Sequence, residues 1–513
     1  MVETVSLVLS CIFFLVSYFV GSAFYSLWWK PKALEKLLNR QGFRGNAYRI
    51  LYGDSKEEKE AFKKAWSRPM DQLSHRIAPR IMPFVYQTIE RYGKSSLIWP
   101  GPVPRVVVLH PNMVKEVLAD RSGQFKKPPS NPLTRILATG VAVLNGKEWA
   151  SRRKIVNSAF HLEKLKEMVP SFLTSCSDLV KKWDGLAGSG GYCEVDVWTE
   201  FQALTGDVIS RTAFGSSFED GKRIFQLQNE QAKLAIEAAR SPYIPGFRFI
   251  PTTKNKRRWL LDDRIKSMVR AIIDRKSETL QTEGSSNSDD LLTILLELSR
   301  DKKNKISIND VIEECKLFYL AGQETTASLL TWTLVLLSMH PSWQHRARDE
   351  ALRVCRKDVP DLECINQLKI VPMILYEVLR LYPSIVSLTR RTENEIKLGE
   401  FTFPGGVDLL LPVILIHHDS ECWGEDAEEF NPERFSNGIS KAAAKDGRSV
   451  FYPFGWGPRT CLGQNFAMIQ AKMALTLILQ RFSFELSPSY SHAPYTVITL
   501  QPLHGAHIIL HRL

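Results

Sequence analysis

The chain has 513 residues, with 67 Lys plus Arg against 55 Asp plus Glu and a net charge of +12. Its 44% hydrophobic and 24% charged residues are an ordinary globular mix, which excludes a wholly disordered, collagen-like or multi-span membrane protein. Eight cysteines with no CxxC pair are too sparse for a disulfide scaffold and give a zinc ribbon no support.

Thr4 to Trp29 contain no charged side chain. The run is long enough to cross a hydrocarbon core of about 30 Å as a helix. Tyr25, Trp28 and Trp29 suit an aromatic belt, and Lys30, Lys32, Lys36, Arg40 and Arg44 follow at once. Residues 1–29 are therefore expected to be an uncleaved, single-pass anchor, with residues 30–513 on the cytosolic side by the positive-inside rule. The anchor segment holds one acid and no base, so the body carries +13. Such a body can meet anionic lipid or an acidic protein. No nucleic-acid motif is present, and no nucleic-acid partner is expected.

Amphipathic stretches dominate from about residue 155 to 380. Gly185–Gly191 and Thr282–Asp290 read as loops. β-like runs are short: Arg105–Leu109, Phe401–Phe403, and Tyr495–Gln501 with Ala506–Leu510, the last pair expected to form a hairpin about Pro502–Gly505. The expected fold class is mainly α with small peripheral β-sheets. One helix stands out. Ser307 and Asp310 form a capping box, and the pattern runs to His340 before Pro341, a length of about 50 Å. Gln323, Glu324, Thr325 and Thr326 interrupt its apolar middle, which is expensive in lipid. A core helix with a functional polar kink is the reading.

The chemistry concentrates near the C-terminus, in Phe454-Gly-Trp-Gly457-Pro-Arg459-Thr-Cys461-Leu-Gly463 before a helical pattern from about Leu462 to Arg481. A cysteine at a helix N-terminus is favoured as thiolate. Gly457 and Gly463 allow tight turns and close approach of a flat ligand. Phe454 can shield the sulfur, and Arg459 offers a cation for a carboxylate. A single soft thiolate with an apolar shield suits haem iron rather than zinc.

This ten-residue string resembles the haem-thiolate signature of the cytochrome P-450 superfamily. Glu377-Val-Leu-Arg380 is similar to its ExxR motif, Phe430–Phe435 to its PERF segment, and Ala321-Gly322-Gln-Glu324-Thr325-Thr326 to its oxygen-activating helix. The resemblance covers essentially the whole chain. It implies a haem-thiolate catalytic domain over residues 30–513, with haem b held axially by Cys461. It implies propionate binding by Trp149, Arg153, Arg459 and Arg391, although Arg390 is an equally basic neighbour. Ala321 and Gly322 would be small where the haem face presses on the helix. Thr325 would back-bond to a carbonyl, opening a groove for dioxygen, and Glu324 would supply protons. Glu377, Arg380 and Arg434 would form a buried network that scaffolds the cysteine loop. His417 and His418 read as structural or surface residues.

Gln41–Gly45, Val311–Phe318, Trp423–Asp426 and Cys461–Asn465 look like the plant branch that includes secologanin synthase and triterpenoid oxidases. The resemblance implies a monooxygenase at the endoplasmic reticulum membrane that uses O2 and electrons from NADPH through a flavoprotein reductase. Lys147, Arg152, Lys154 and Lys472 are docking candidates. The pocket, lined from Ser130–Ala142, the 200s segment, Ala321–Thr325, Ser384–Leu388 and Pro494–Thr496, would take a hydrophobic terpenoid of triterpenoid, iridoid or gibberellin type. Two other classes stay open: a haem-thiolate isomerase or dehydratase working on hydroperoxides, and a non-enzymatic haem sensor.

Overall fold

The computed structural model describes every residue except 1, 138, 217, 242, 283–289, 301–305, 357–358, 443, 446 and 447. The expected loop Thr282–Asp290 lies largely outside the described residues. Helix Val2–Phe24 continues through Tyr25–Trp29 into helix Lys30–Arg40. The exposed, apolar part of this rod is long enough to cross a membrane by length and composition. The rod runs on past Trp29 as a helix, but there its character changes: Pro31, Leu34 and Leu38 turn inward and pack on the body. The Tyr48 hydroxyl also donates to the Leu27 carbonyl at 2.6 Å.

The body is mainly helical, and one hydrophobic core runs through it. Helix Ile308–Met339 crosses its centre. Ser307 and Asp310 form the expected capping box, each side chain accepting the other's backbone N–H. Trp332, Leu334, Val335, Leu336 and Leu337 are fully buried, so this apolar run belongs to a core rather than a second membrane span. The helix stays α-helical through Gln323–Thr326.

The largest sheet has the order Leu97–Ile98, Arg105–Val107, Asp408–Leu411, Leu388–Thr392, Phe125–Lys126. Arg105–Val107 pairs parallel with Asp408–Leu411, and the other pairs are antiparallel. The C-terminal hairpin differs from expectation. Pro494–Thr496 pairs with Leu500–Pro502, while His507–Arg512 lies between Phe482–Leu486 and Tyr192–Asp196. The reason is a long-range capture. The Leu500 carbonyl accepts from Ser328 Oγ at 2.6 Å and Trp332 Nε1 at 3.1 Å on the central helix, which holds Leu500 there and leaves the last strand free to pair elsewhere.

Seven cysteines had no role in the sequence. Cys355 and Cys364 are joined as a disulfide, with Cα atoms 5.4 Å apart, within the reach such a bond needs.

Candidate haem-thiolate site

Cys461 lies between the turn Gly457–Arg459 and the helix Gln464–Arg481, which starts two residues later than expected, with Gly463 as its N-cap. Gly457 has φ +68, and a Cβ there would sit 2.4 Å from the Leu118 carbonyl oxygen, so only glycine suits the turn. The Cys461 N–H donates to the Phe454 carbonyl at 2.8 Å and closes the loop. The sulfur is accessible, yet burial pushes the thiol pKa up, opposed by the Gly463 N–H and the Arg153 charge. Both hold for a sulfur on the wall of an internal compartment. A bound metal cation would be needed to hold this thiolate.

Across from it, Ala321 is exposed and Thr325 half-exposed in the middle of a helix whose neighbouring residues are buried. The two lie one turn apart on one face. Phe160 stacks on Phe318 at 5.6 Å and reaches to 4.0 Å from where a Gly463 Cβ would stand. One ring thus bridges the start of the cysteine helix and the turn before Ala321. The Thr325 hydroxyl donates to the Ala321 carbonyl at 2.7 Å, the expected back-bond. Gly322, expected on the cofactor face, points elsewhere. A Cβ there would meet Ile209 Cγ1 at 2.7 Å, so its smallness serves packing against helix Val197–Phe214. The Glu324 carboxylate is buried and accepts from Gln501 Nε2 at 2.6 Å, Thr499 Oγ1 at 2.9 Å and Gln202 Nε2 at 3.2 Å. Burial raises its pKa against these hydrogen bonds.

Cations gather beside the cysteine. Arg459 donates to the Leu144 carbonyl at 2.8 Å and Asn145 Oδ1 at 2.9 Å, and its guanidinium lies 4.3 Å from the Trp149 ring centroid. Arg153 donates to the Thr460 carbonyl at 2.7 Å. Arg391 is a correction. Its Nε bonds Asp408 Oδ1 at 2.6 Å on one side of strand Leu388–Thr392, and Arg390 is buried on the other. Alternation along the strand separates them, and Leu388, an apolar residue in phase with Arg390, was the available signal. Burial and then Arg459 push the Arg390 pKa down to about 10. Lys127, which the sequence did not single out, is pushed down to about 7 by burial and by Arg390 and Arg459. No motif marks this lysine in the sequence. Among the described residues, none of Lys127, Arg153, Arg390 and Arg459 pairs with a carboxylate. A cysteine sulfur beside four unmatched cations and an aromatic ring is the donor set for a metal-bearing macrocycle with acidic side arms, and haem has that chemistry.

Behind the loop, Arg380 donates to Glu377 Oε2 and Oε1, both at 2.7 Å, and to the carbonyls of His417, Ala427 and Glu429. Arg434 Nε approaches Glu377 Oε1 at 3.5 Å. His417 passes the network on. Its Nε2 accepts from the Tyr452 N–H at 2.9 Å, two residues before Phe454. His417 and His418 are both buried.

Residues 72–503 match the family model described as Cytochrome P450. The chain belongs to the cytochrome P450 family. This P450 is 54% identical over 494 residues to Cytochrome P450 CYP72A616 of Paris polyphylla, covering 95% of each chain. It is 48% identical over 498 residues to 7-deoxyloganic acid hydroxylase of Catharanthus roseus, again covering 95% of each. To Cytochrome P450 72A15 of Arabidopsis thaliana it is 48% identical over 515 residues, covering 100% of each. It is thus an oxidoreductase, a P450 monooxygenase of the CYP72A type, in the branch named from its sequence, and its family carries haem.

Proposed function

We propose that this P450 is anchored in the endoplasmic reticulum membrane by its first 29 residues, with residues 30–513 as a cytosolic haem-thiolate domain, and that it hydroxylates a hydrophobic terpenoid. The observation that carries the haem site is the set of unmatched cations around Cys461. In this reading the Cys461 thiolate would hold the haem iron. Arg153, Arg390, Arg459 and Lys127 neutralise the propionates, with Trp149 supporting Arg459. Phe454 and the Gly463 turn would shield the sulfur, and Ala321 would leave room for the cofactor on the central helix. When bound, haem supplies dioxygen reduction and the oxidising equivalent. The protein's part is positional and protonic. Thr325 holds a hydroxyl in the compartment, and Glu324, made less acidic by burial, is the residue that would supply protons by relay.

Electrons would come from NADPH through a flavoprotein reductase, drawn to the basic body. Lys147 and Lys154 are exposed and suited to docking, and Lys472 is half-buried. Arg152 is not available, because it is buried and paired with Glu314 at 3.0 Å. The likeness to a 7-deoxyloganic acid hydroxylase supports a terpenoid substrate, with iridoid, triterpenoid and gibberellin types as the panel to try.

The test is metabolite profiling of microsomes that contain this chain and a reductase. Hydroxylated product that requires NADPH and O2 is expected. Product formed from a hydroperoxide alone, with no NADPH consumed, would instead make it an isomerase or dehydratase.

A further inference from the structure

Apart from Phe318, the segment Val311–Phe318 takes no part in the site above, yet it carries three charges into the body. Glu314 and Lys316 are fully buried and Glu313 half-buried. Buried charges are unfavourable unless each is paired and hydrogen-bonded. Here all three are satisfied against one loop. Lys316 Nζ donates to the Ile136 carbonyl at 2.9 Å, and also to Asp262 Oδ1 at 2.7 Å and Glu313 Oε1 at 3.2 Å. Glu313 Oε2 accepts from Thr139 Oγ1 at 2.9 Å. Glu314 Oε2 accepts from the Val141 N–H at 3.2 Å, while its Oε1 takes Arg152 Nη1 at 3.0 Å. Between them sits Gly140 at φ +67, where a Cβ would lie 2.6 Å from Glu314 Oε2. The loop comes this close only because that residue is glycine.

The other end of the same loop is held from the opposite wall. Arg459, two residues before Cys461, takes the Leu144 carbonyl and Asn145 Oδ1. In between, the loop's own backbone bonds are local turns at Asn131–Leu137 and Gly140–Leu144. The segment is therefore strung from the cysteine loop to the central helix, and it reaches that helix about one and a half turns before Ala321. A segment held at discrete points by charged groups opens locally when those groups are lost.

We propose that Glu313, Glu314 and Lys316 are positioning residues that latch residues 133–137 and 139–144 onto the central helix, and so set the size of ligand that the Cys461 compartment admits. The inference rests on that compartment being the substrate chamber. Loop residues that are latched exchange their amides slowly and keep a bulky ligand enclosed. A small ligand is indifferent to the latch.

The experiment compares full-length Glu314→Gln, Lys316→Met, Lys316→Arg and Gly140→Ala with the parent, all carrying haem. Hydrogen–deuterium exchange at residues 133–144 should rise about tenfold in Glu314→Gln, Lys316→Met and Gly140→Ala, with helix residues 326–337 changing less than about twofold. Lys316→Arg, which keeps the charge, should restore slow exchange. Release of a bulky azole, followed by its nitrogen-bound haem spectrum, should quicken about tenfold while imidazole affinity stays within about twofold. Loop exchange unchanged in all the variants would overturn the latch. Equal changes for both ligands, or exchange rising along the whole helix, would also overturn it, since either marks general loosening. Absence of a thiolate-type reduced–CO band in the parent would instead remove the haem reading, and loop exchange would still decide whether the latch exists.

Discussion

The guanidinium of Arg380 meets the carboxylate of Glu377 through two hydrogen bonds of 2.7 Å, with both side chains fully buried. Removing one partner strands the other charge, which costs about 3–5 kcal/mol. Glu377→Ala or Arg380→Leu should therefore lower the apparent melting temperature strongly and reduce haem content, although neither residue touches the cofactor compartment. Thermal unfolding and the absorbance ratio of haem to protein measure both effects. A variant with normal haem content and normal melting would remove the scaffold role.

Cys461→Ser should fold, because the Cys461 backbone bond to Phe454 remains. It should lose the thiolate-type reduced–CO absorption while far-ultraviolet circular dichroism stays unchanged. Persistence of that absorption would refute the ligand assignment.

Thr325→Ala removes a hydroxyl that donates to the Ala321 carbonyl. Stability should change by less than about 1 kcal/mol. With reductase present, NADPH oxidation should continue while product per NADPH falls about tenfold. Parallel measurement of NADPH, hydrogen peroxide and product gives the coupling, and unchanged coupling would sink the assigned role.

Arg390 and Arg391 separate by face of strand. Arg390→Gln should weaken haem retention, read as loss of haem to apomyoglobin. Arg391→Gln should leave retention unchanged and cost stability alone, since it leaves the buried Asp408 carboxylate with Arg105 at 3.7 Å as its remaining cation. The reverse ranking would return the propionate role to Arg391.

Acid should destabilise the folded chain. Burial is the first cause that lowers the pKa of His75 and His417 to about 3 and of His418 and His492 to about 4. Tyr382 OH lies 3.2 Å from His75 Nδ1 and 3.3 Å from His492 Nε2, in a chain that suits neutral rings. Unfolded imidazoles take up protons below about pH 6.5, whereas the folded ones stay neutral until about pH 4. Stability is thus fully present above pH 6.5 and falls as pH drops toward 4, by at most about 1.4 kcal/mol per pH unit for each ring. Denaturant midpoints between pH 7.5 and 5 should fall accordingly, with a shallower slope in His492→Gln.

Much of this protein is decided locally and so was legible in the sequence. The uncharged N-terminal run, the Ser307–Asp310 cap, the end of the central helix at Pro341 and the Thr325 back-bond all depend on neighbours within a few residues. The class of chemistry was legible too, because the cysteine proposed as the ligand stands inside one contiguous string. What the sequence could not decide was which way a side chain faces once distant segments meet. Arg390 rather than Arg391, Gly322 against Ile209, Arg152 withdrawn into a pair with Glu314, Lys127 among the cations, and Leu500 captured by the central helix each depend on partners from 17 positions away, for Arg391 with Asp408, to 332 positions away, for Lys127 with Arg459. Those contacts form only when the chain closes on itself, since burial, and not local propensity, sets whether a charge is paired, stranded or turned toward a ligand.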